Sequence, residues 1–141
     1  MPRRLQSYET EEITVTFEPA LCIHAAVCVR GLPEVFDTAH PRWIRPERAA
    51  AGEVARIVSQ CPTGALKYRL RTGPEEAAAE GPAKLRLARD GPLELRGDVR
   101  IVLEDGREVA HGLRFALCRC GRTQGAPFCD GSHRRAGFRD P

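Results

Sequence analysis

Ile13, Val15 and Phe17 alternate with Thr14 and Thr16, the pattern of a strand with one face buried and the other in water. From Pro46 the apolar rhythm lengthens. Ala50, Val54, Ile57, Val58 and Cys61 fall at helical spacing, in a segment that Pro46-Glu47 opens and Pro62 stops. Ala65 to Leu70 suits a return strand, while Trp43, Ile44 and Phe36 read as core rather than as a cofactor platform. In the second half, alternation comes in three bursts: Leu85 and Leu87, then Leu93 and Leu95, then Val99, Ile101 and Leu103. Asp90-Gly91-Pro92, Gly97-Asp98 and Asp105-Gly106 separate or close them, and these are turn signals between antiparallel strands. Ala110 to Leu117 adds one more strand.

Segment 71–83 is rich in Gly, Pro, Ala and Glu and has no apolar period, so it reads as a linker between domains at 8–70 and 84–141. Each half is too small to bury much core, and bound metal would supply folding free energy that packing does not. The formal charge is +3. Its arginines are dispersed among acids, which gives no nucleic-acid footprint. No apolar run approaches a membrane span, and the basic start of the chain is not followed by an apolar stretch of signal-peptide type. A soluble, cytoplasmic protein is the expectation.

The chemistry lies in the six cysteines. Cys118, Cys120, Cys129 and His133 crowd near one end of the chain. In an extended segment Cys118 and Cys120 leave the same side, and in one turn of helix Cys129 and His133 stack on one face. Asp130 suits the N-cap of that turn. Two ligand pairs, each fitted to one iron, describe a [2Fe-2S] cluster better than a single tetrahedral ion. The competing reading is a structural Cys3His zinc knuckle, against which stands the single residue, Arg119, between the first two thiols.

The run from Cys118 to His133 resembles the CDGSH iron-sulfur domain family, with the pattern C-x-C-x2-[ST]-x3-P-x-C-D-G-[SAT]-H met at each fixed position, Thr123, Pro127, Asp130 and Ser132 included. The resemblance implies a small antiparallel β domain and a [2Fe-2S] cluster, with Cys118 and Cys120 on one iron and Cys129 and His133 on the other. It also puts Thr123, Asp130 and Ser132 around that cluster, where such groups tune sulfur charge and ligand orientation. One imidazole among three thiolates raises the potential relative to all-Cys plant-type ferredoxins and makes potential and cluster retention sensitive to pH. Arg119, Arg122, Arg134 and Arg135 either offset the anionic cluster or are simply solvated.

A second constellation is Cys22, Cys28 and the Cys61-Pro62 pair. Bacterial-type motifs carry C-x2-C-x2-C with a distant Cys-Pro, and here Ala25 occupies the middle position. With Gly31-Leu32-Pro33-Glu34-Val35-Phe36-Asp37 and Cys61-Pro62-Thr63-Gly64-Ala65-Leu66, segment 13–70 resembles the short divergent 4Fe-4S domain related to single-cluster bacterial ferredoxins. That implies a ferredoxin-like unit in which Cys22, Cys28 and Cys61 hold a [3Fe-4S] cluster, or a [4Fe-4S] cluster with His24, water or a partner group on the last iron. A degenerate site is the alternative.

The fold class expected is therefore α+β: a small ferredoxin-like domain followed by a small antiparallel CDGSH domain. Electron transfer is the leading function, served by redox partner proteins, with no enzyme activity, nucleic acid or membrane involved, and with either a monomer or a homodimer. A labile carrier or redox sensor passing its cluster to apo iron-sulfur acceptors is the second reading, and a zinc-stabilised interaction module the third. His40 and His111 have no catalytic partners in the sequence and read as loop or strand-end residues.

Overall fold

A computed structural model describes residues 4–73, 75–77 and 80–140. Met1, Pro2 and Arg3 of the basic start, Pro74, Ala78 and Ala79 of the expected linker, and Pro141 lie outside the described residues. The described residues form a small α+β fold with two antiparallel three-stranded sheets and few helical turns. It divides into two compact units after Glu76, with Leu21–Ile23 and Pro62–Gly64 counted to the second.

The first unit is built on β1 (Gln6–Glu9), β2 (Ile13–Phe17) and β3 (Leu66–Leu70), in the order β1-β2-β3. The alternation in β2 puts Ile13, Val15 and Phe17 in the core, with Thr14 and Thr16 on the other face. The register with β3 runs from Ile13↔Leu70 to Phe17↔Leu66. Helix α1 spans Val27–Gly31 and α2 spans Ala51–Val58. The segment predicted as one helix from Pro46 instead starts as a 3-10 turn, Pro46–Arg48. Ala49 and Ala50 then take extended conformations before α2 begins. Neither break carries a side-chain cap, since alanine has no oxygen to offer an orphan N–H. Helix α2 also stops before Cys61, whose N–H bonds the Val58 carbonyl at 3.1 Å.

Val54, Ala55, Ile57 and Val58 form the buried face of α2, which packs on β3. With Val35, Phe36 and Ile44 they close the core, each buried aliphatic contributing about 1.5–3 kcal/mol. Trp43 stands edge-on to Phe17 with ring centroids 4.9 Å apart and lies 6.1 Å from Phe36, as befits a packing residue.

The second unit is a meander of β4 (Lys84–Leu87), β5 (Leu93–Val102) and β6 (Glu108–Leu117). The turns at Asp90-Gly91-Pro92 and Asp105-Gly106 form as predicted, with Gly91 N–H bonded to Ala88 O and Gly106 N–H to Leu103 O. Gly97-Asp98 does not. It is an irregularity inside β5, where the register with β6 slips between Arg96 and Val99, so two predicted strands are one bulged strand. Gly97 has φ 136, and a Cβ there would sit 2.7 Å from the Ala83 backbone, so this kink needs glycine. Among the described residues, no helix is long and apolar enough to cross a membrane.

Candidate metal centres

Strand β6 delivers Cys118 to the rim of its sheet, after which the chain leaves the strand and folds back. Cys118 N–H bonds Pro127 O and Cys129 N–H bonds Ala116 O, both at 2.8 Å, around a bridge between Leu117 and Phe128. Phe128 stacks on Phe115 with centroids 6.0 Å apart. The loop 119–127 is therefore closed at its base like a hairpin, and Cys118 and Cys129 stand on facing sides of it.

Cys118 and Cys120 bring their sulfurs to 3.8 Å of one another. Both lie past the end of β6, Cys118 directly after the strand and Cys120 in the bend that follows, rather than in one extended segment as predicted. Cys129 Sγ is 3.4 Å from His133 Nδ1. The spacing predicted a shared helical turn, whereas the short helix α3 (Ser132–Arg135) begins only after Gly131, a left-handed residue at φ 87, so Cys129 precedes the helix and His133 lies within it. Two pairs result. Among the described residues, no group of three or more His, Cys, Asp or Glu side chains stands where it could hold a single metal ion.

Each sulfur receives a backbone N–H: Gly121 to Cys118 at 3.2 Å, Arg122 to Cys120 at 3.4 Å and Gly131 to Cys129 at 3.4 Å. Gly121 and Gly131 turn the chain through positive φ to do so, at 76° and 87°. Such bonds stabilise negative sulfur. Burial pushes the Cys118 thiol up, but the N–H groups of Thr123 and Gly121, then the Cys120 side chain and the Arg122 N–H, outweigh it and leave the thiol below its ordinary value. Cys129 goes the other way. Burial raises it first, the Gly131 N–H opposes, and the negative charges of Cys118, Asp130 and Cys120 raise it further. Three thiolates this close repel, so full ionisation calls for positive charge between them, which ferric iron provides. Burial, helped by the charge of Arg134 and opposed by Asp130, lowers His133, which favours the neutral imidazole a metal takes. This donor set, in two pairs with N–H groups already turned to sulfur, fits a two-iron cluster.

Asp130 organises the loop rather than facing a metal. Its carboxylate accepts Ser132 N–H and Gln124 N–H, each at 3.0 Å, and also the Ser132 hydroxyl. Burial raises its pKa, but these bonds, together with the nearby Thr123 side chain, outweigh it and bring the value to about 2. Ser132 Oγ in turn accepts Arg135 Nη2 at 2.9 Å. The Thr123 hydroxyl donates to Phe128 O at 2.7 Å and accepts Gly125 N–H at 3.2 Å, so it ties the loop across its own base. The glycines that supply N–H groups escaped the sequence reading, although Cys120-Gly121 and Asp130-Gly131 carry the signal of a chain turning at positive φ.

Earlier in the sequence, Cys22 follows the 3-10 turn Pro19–Leu21, Cys28 lies in α1 and Cys61 follows α2. All three are half-buried, and the six cysteines form no disulfide. Between Cys22 and Cys28 the backbone is left-handed at two non-glycine residues, His24 at φ 58 and Ala26 at φ 65. Alanine in that region costs about 1–2 kcal/mol, a strain that persists where a loop is shaped for a task.

Comparison with known proteins finds two iron-sulfur families along the chain. Residues 8–71 match the family described as divergent 4Fe-4S mono-cluster, and residues 90–134 match the iron-binding zinc finger of CDGSH type. The uncharacterized protein YjdI of Escherichia coli strain K12 is 40% identical over 62 residues, which cover 44% of this chain and 82% of YjdI, and YjdI of Escherichia coli O157:H7 aligns identically. The chain belongs to the divergent 4Fe-4S mono-cluster family through its first part and carries a CDGSH-type iron-binding domain after it, which makes it an iron-sulfur protein.

Proposed function

We propose that the protein is an electron carrier with two clusters. Cys118 and Cys120 hold one iron of a [2Fe-2S] cluster and Cys129 and His133 the other, while Cys22, Cys28 and Cys61 hold a [3Fe-4S] or [4Fe-4S] cluster in a ferredoxin-like unit. The observation that carries this is the pairing in the [2Fe-2S] site, 3.8 Å within the first pair and 3.4 Å within the second, with a backbone N–H on each of its three sulfurs. When bound, such a cluster supplies a one-electron couple. The chain's residues set its terms: N–H groups stabilise the thiolates, His133 replaces a fourth negative ligand, and the closed base of the loop keeps the two pairs facing each other.

Redox proteins are the partners this reading implies, in a reducing cytoplasmic compartment that keeps thiols available to iron. The test is to cycle the purified protein repeatedly between dithionite and oxidant in the presence of an apo-ferredoxin. An electron carrier keeps its visible absorbance through the cycles. Transfer of cluster to the acceptor within minutes would instead mark a labile carrier.

A further inference from the structure

Arg119, the single residue between the first two ligands, turns away from the loop and enters a set of contacts that no part of the cluster motif accounts for. Its Nη2 donates to the Asp140 carboxylate and, at 3.3 Å, to the Ala88 carbonyl, and its guanidinium lies 5.0 Å over the Phe138 ring. Its Nε is buried without a partner among the described residues, so all of its hydrogen bonding passes through Nη2. Asp140 is held a second time. Its N–H bonds Asp90 Oδ1 at 2.8 Å and its Oδ2 accepts Asp90 N–H at 2.9 Å, a reciprocal pair across fifty residues of chain. The strap that carries Phe138 and Asp140 leaves α3 directly, with Phe138 N–H on the carbonyl of His133 at 3.0 Å.

One continuous set of contacts thus runs from His133 in the second ligand pair, through Phe138 and Asp140, to Arg119 in the first, and is anchored at Ala88 and Asp90 in the β4–β5 turn. The side chains of Arg119 and Asp140 are 18% and 34% exposed, so this ion pair is screened less than one at an open surface. A guanidinium held by a carboxylate on one side and an aromatic face on the other is fixed in orientation, which a lysine would not be.

We infer that the strap Phe138–Asp140 and Arg119 form a clasp that holds the two ligand pairs in register, with Arg119 as its positioning residue. The inference deepens the assignment of the [2Fe-2S] site and rests on it for the cluster's response, but the clasp itself is a property of the chain. With the clasp open, the bend Cys118–Cys120 and the turn containing His133 move independently, and a bridging cluster is lost faster.

The experiment compares Arg119→Gln, Asp140→Asn, their double variant, Phe138→Leu and the ring-conserving Phe138→Tyr. Two readouts are taken: loss of visible absorbance in the presence of a chelator, and hydrogen exchange of the iron-free protein. The clasp predicts loss about tenfold faster for Arg119→Gln, Asp140→Asn and Phe138→Leu, and the double variant no worse than either single one. Phe138→Tyr should behave as the parent. Exchange should rise at amides 118–123 and 133–138, while the paired amides of β5 and β6 stay protected. Exchange rising equally throughout the second unit would make the contacts general structural support and overturn the clasp, as would additive effects in the double variant. A protein that carries no cluster would overturn the cluster assignment alone, since the exchange pattern still decides the clasp.

Discussion

At the scale of single residues, the site is made by groups that each take one side of a charge balance. Three thiols close together resist joint ionisation, and the structure answers with backbone N–H groups on each sulfur and, in His133, an imidazole whose pKa burial lowers. His133→Cys should therefore hold the cluster longer under chelation and lower its mid-point potential, because a thiolate adds a negative charge that disfavours the reduced state. Potentiometry of the two proteins at one pH checks this, and a raised potential would contradict it. Asp130 acts on the loop. Asp130→Ala removes the acceptor for two backbone N–H groups and should cost about 1–2 kcal/mol in the second unit, read as a lower midpoint in denaturant. Iron content should fall with it, since Gly131 then loses the turn that aims its N–H at Cys129.

At the scale of elements, what was readable depended on whether an element writes a period into the chain. β2, α2 and β3 do, because one face of each is buried. β1 does not: Gln6, Ser7 and Glu9 are polar and exposed at a sheet edge, Tyr8 is only half-buried, and main-chain pairing with β2 makes them a strand. α1 is too short for a helical period, and its entry through left-handed Ala26 has no residue signature. Gly97-Asp98 was misread because a bulge and a turn ask for the same residues, a glycine at positive φ beside a polar side chain. Gly97→Ala should cost about 2–3 kcal/mol, since the added Cβ meets the Ala83 backbone and cannot rotate away. Gly31→Ala should cost less. The atom its Cβ would meet, at 2.6 Å, is the end of the flexible Ile57 side chain, and thermal melts of both variants would show the order.

At the scale of the whole molecule, two stretches of one chain, 8–71 and 90–134, match two iron-sulfur domains. The CDGSH-type motif was legible from spacing, since three cysteines and a histidine in one short run leave few other uses. The clasp was not, because Asp90, Arg119 and Asp140 meet only through the fold. Small units of this kind bury too little apolar surface to be strongly stable unaided, so ligand binding and folding are linked. Removing iron by chelation should lower the melting temperature of the protein and increase exchange in the loop 118–133 first. The most direct test of the central claim is iron, sulfide and zinc analysis of anaerobically purified protein, with EPR of its oxidised and reduced forms. The account predicts about five or six irons with about six sulfides, and a [2Fe-2S] signal on reduction that disappears in Cys118→Ser. Zinc without sulfide, in a colourless protein, would contradict it.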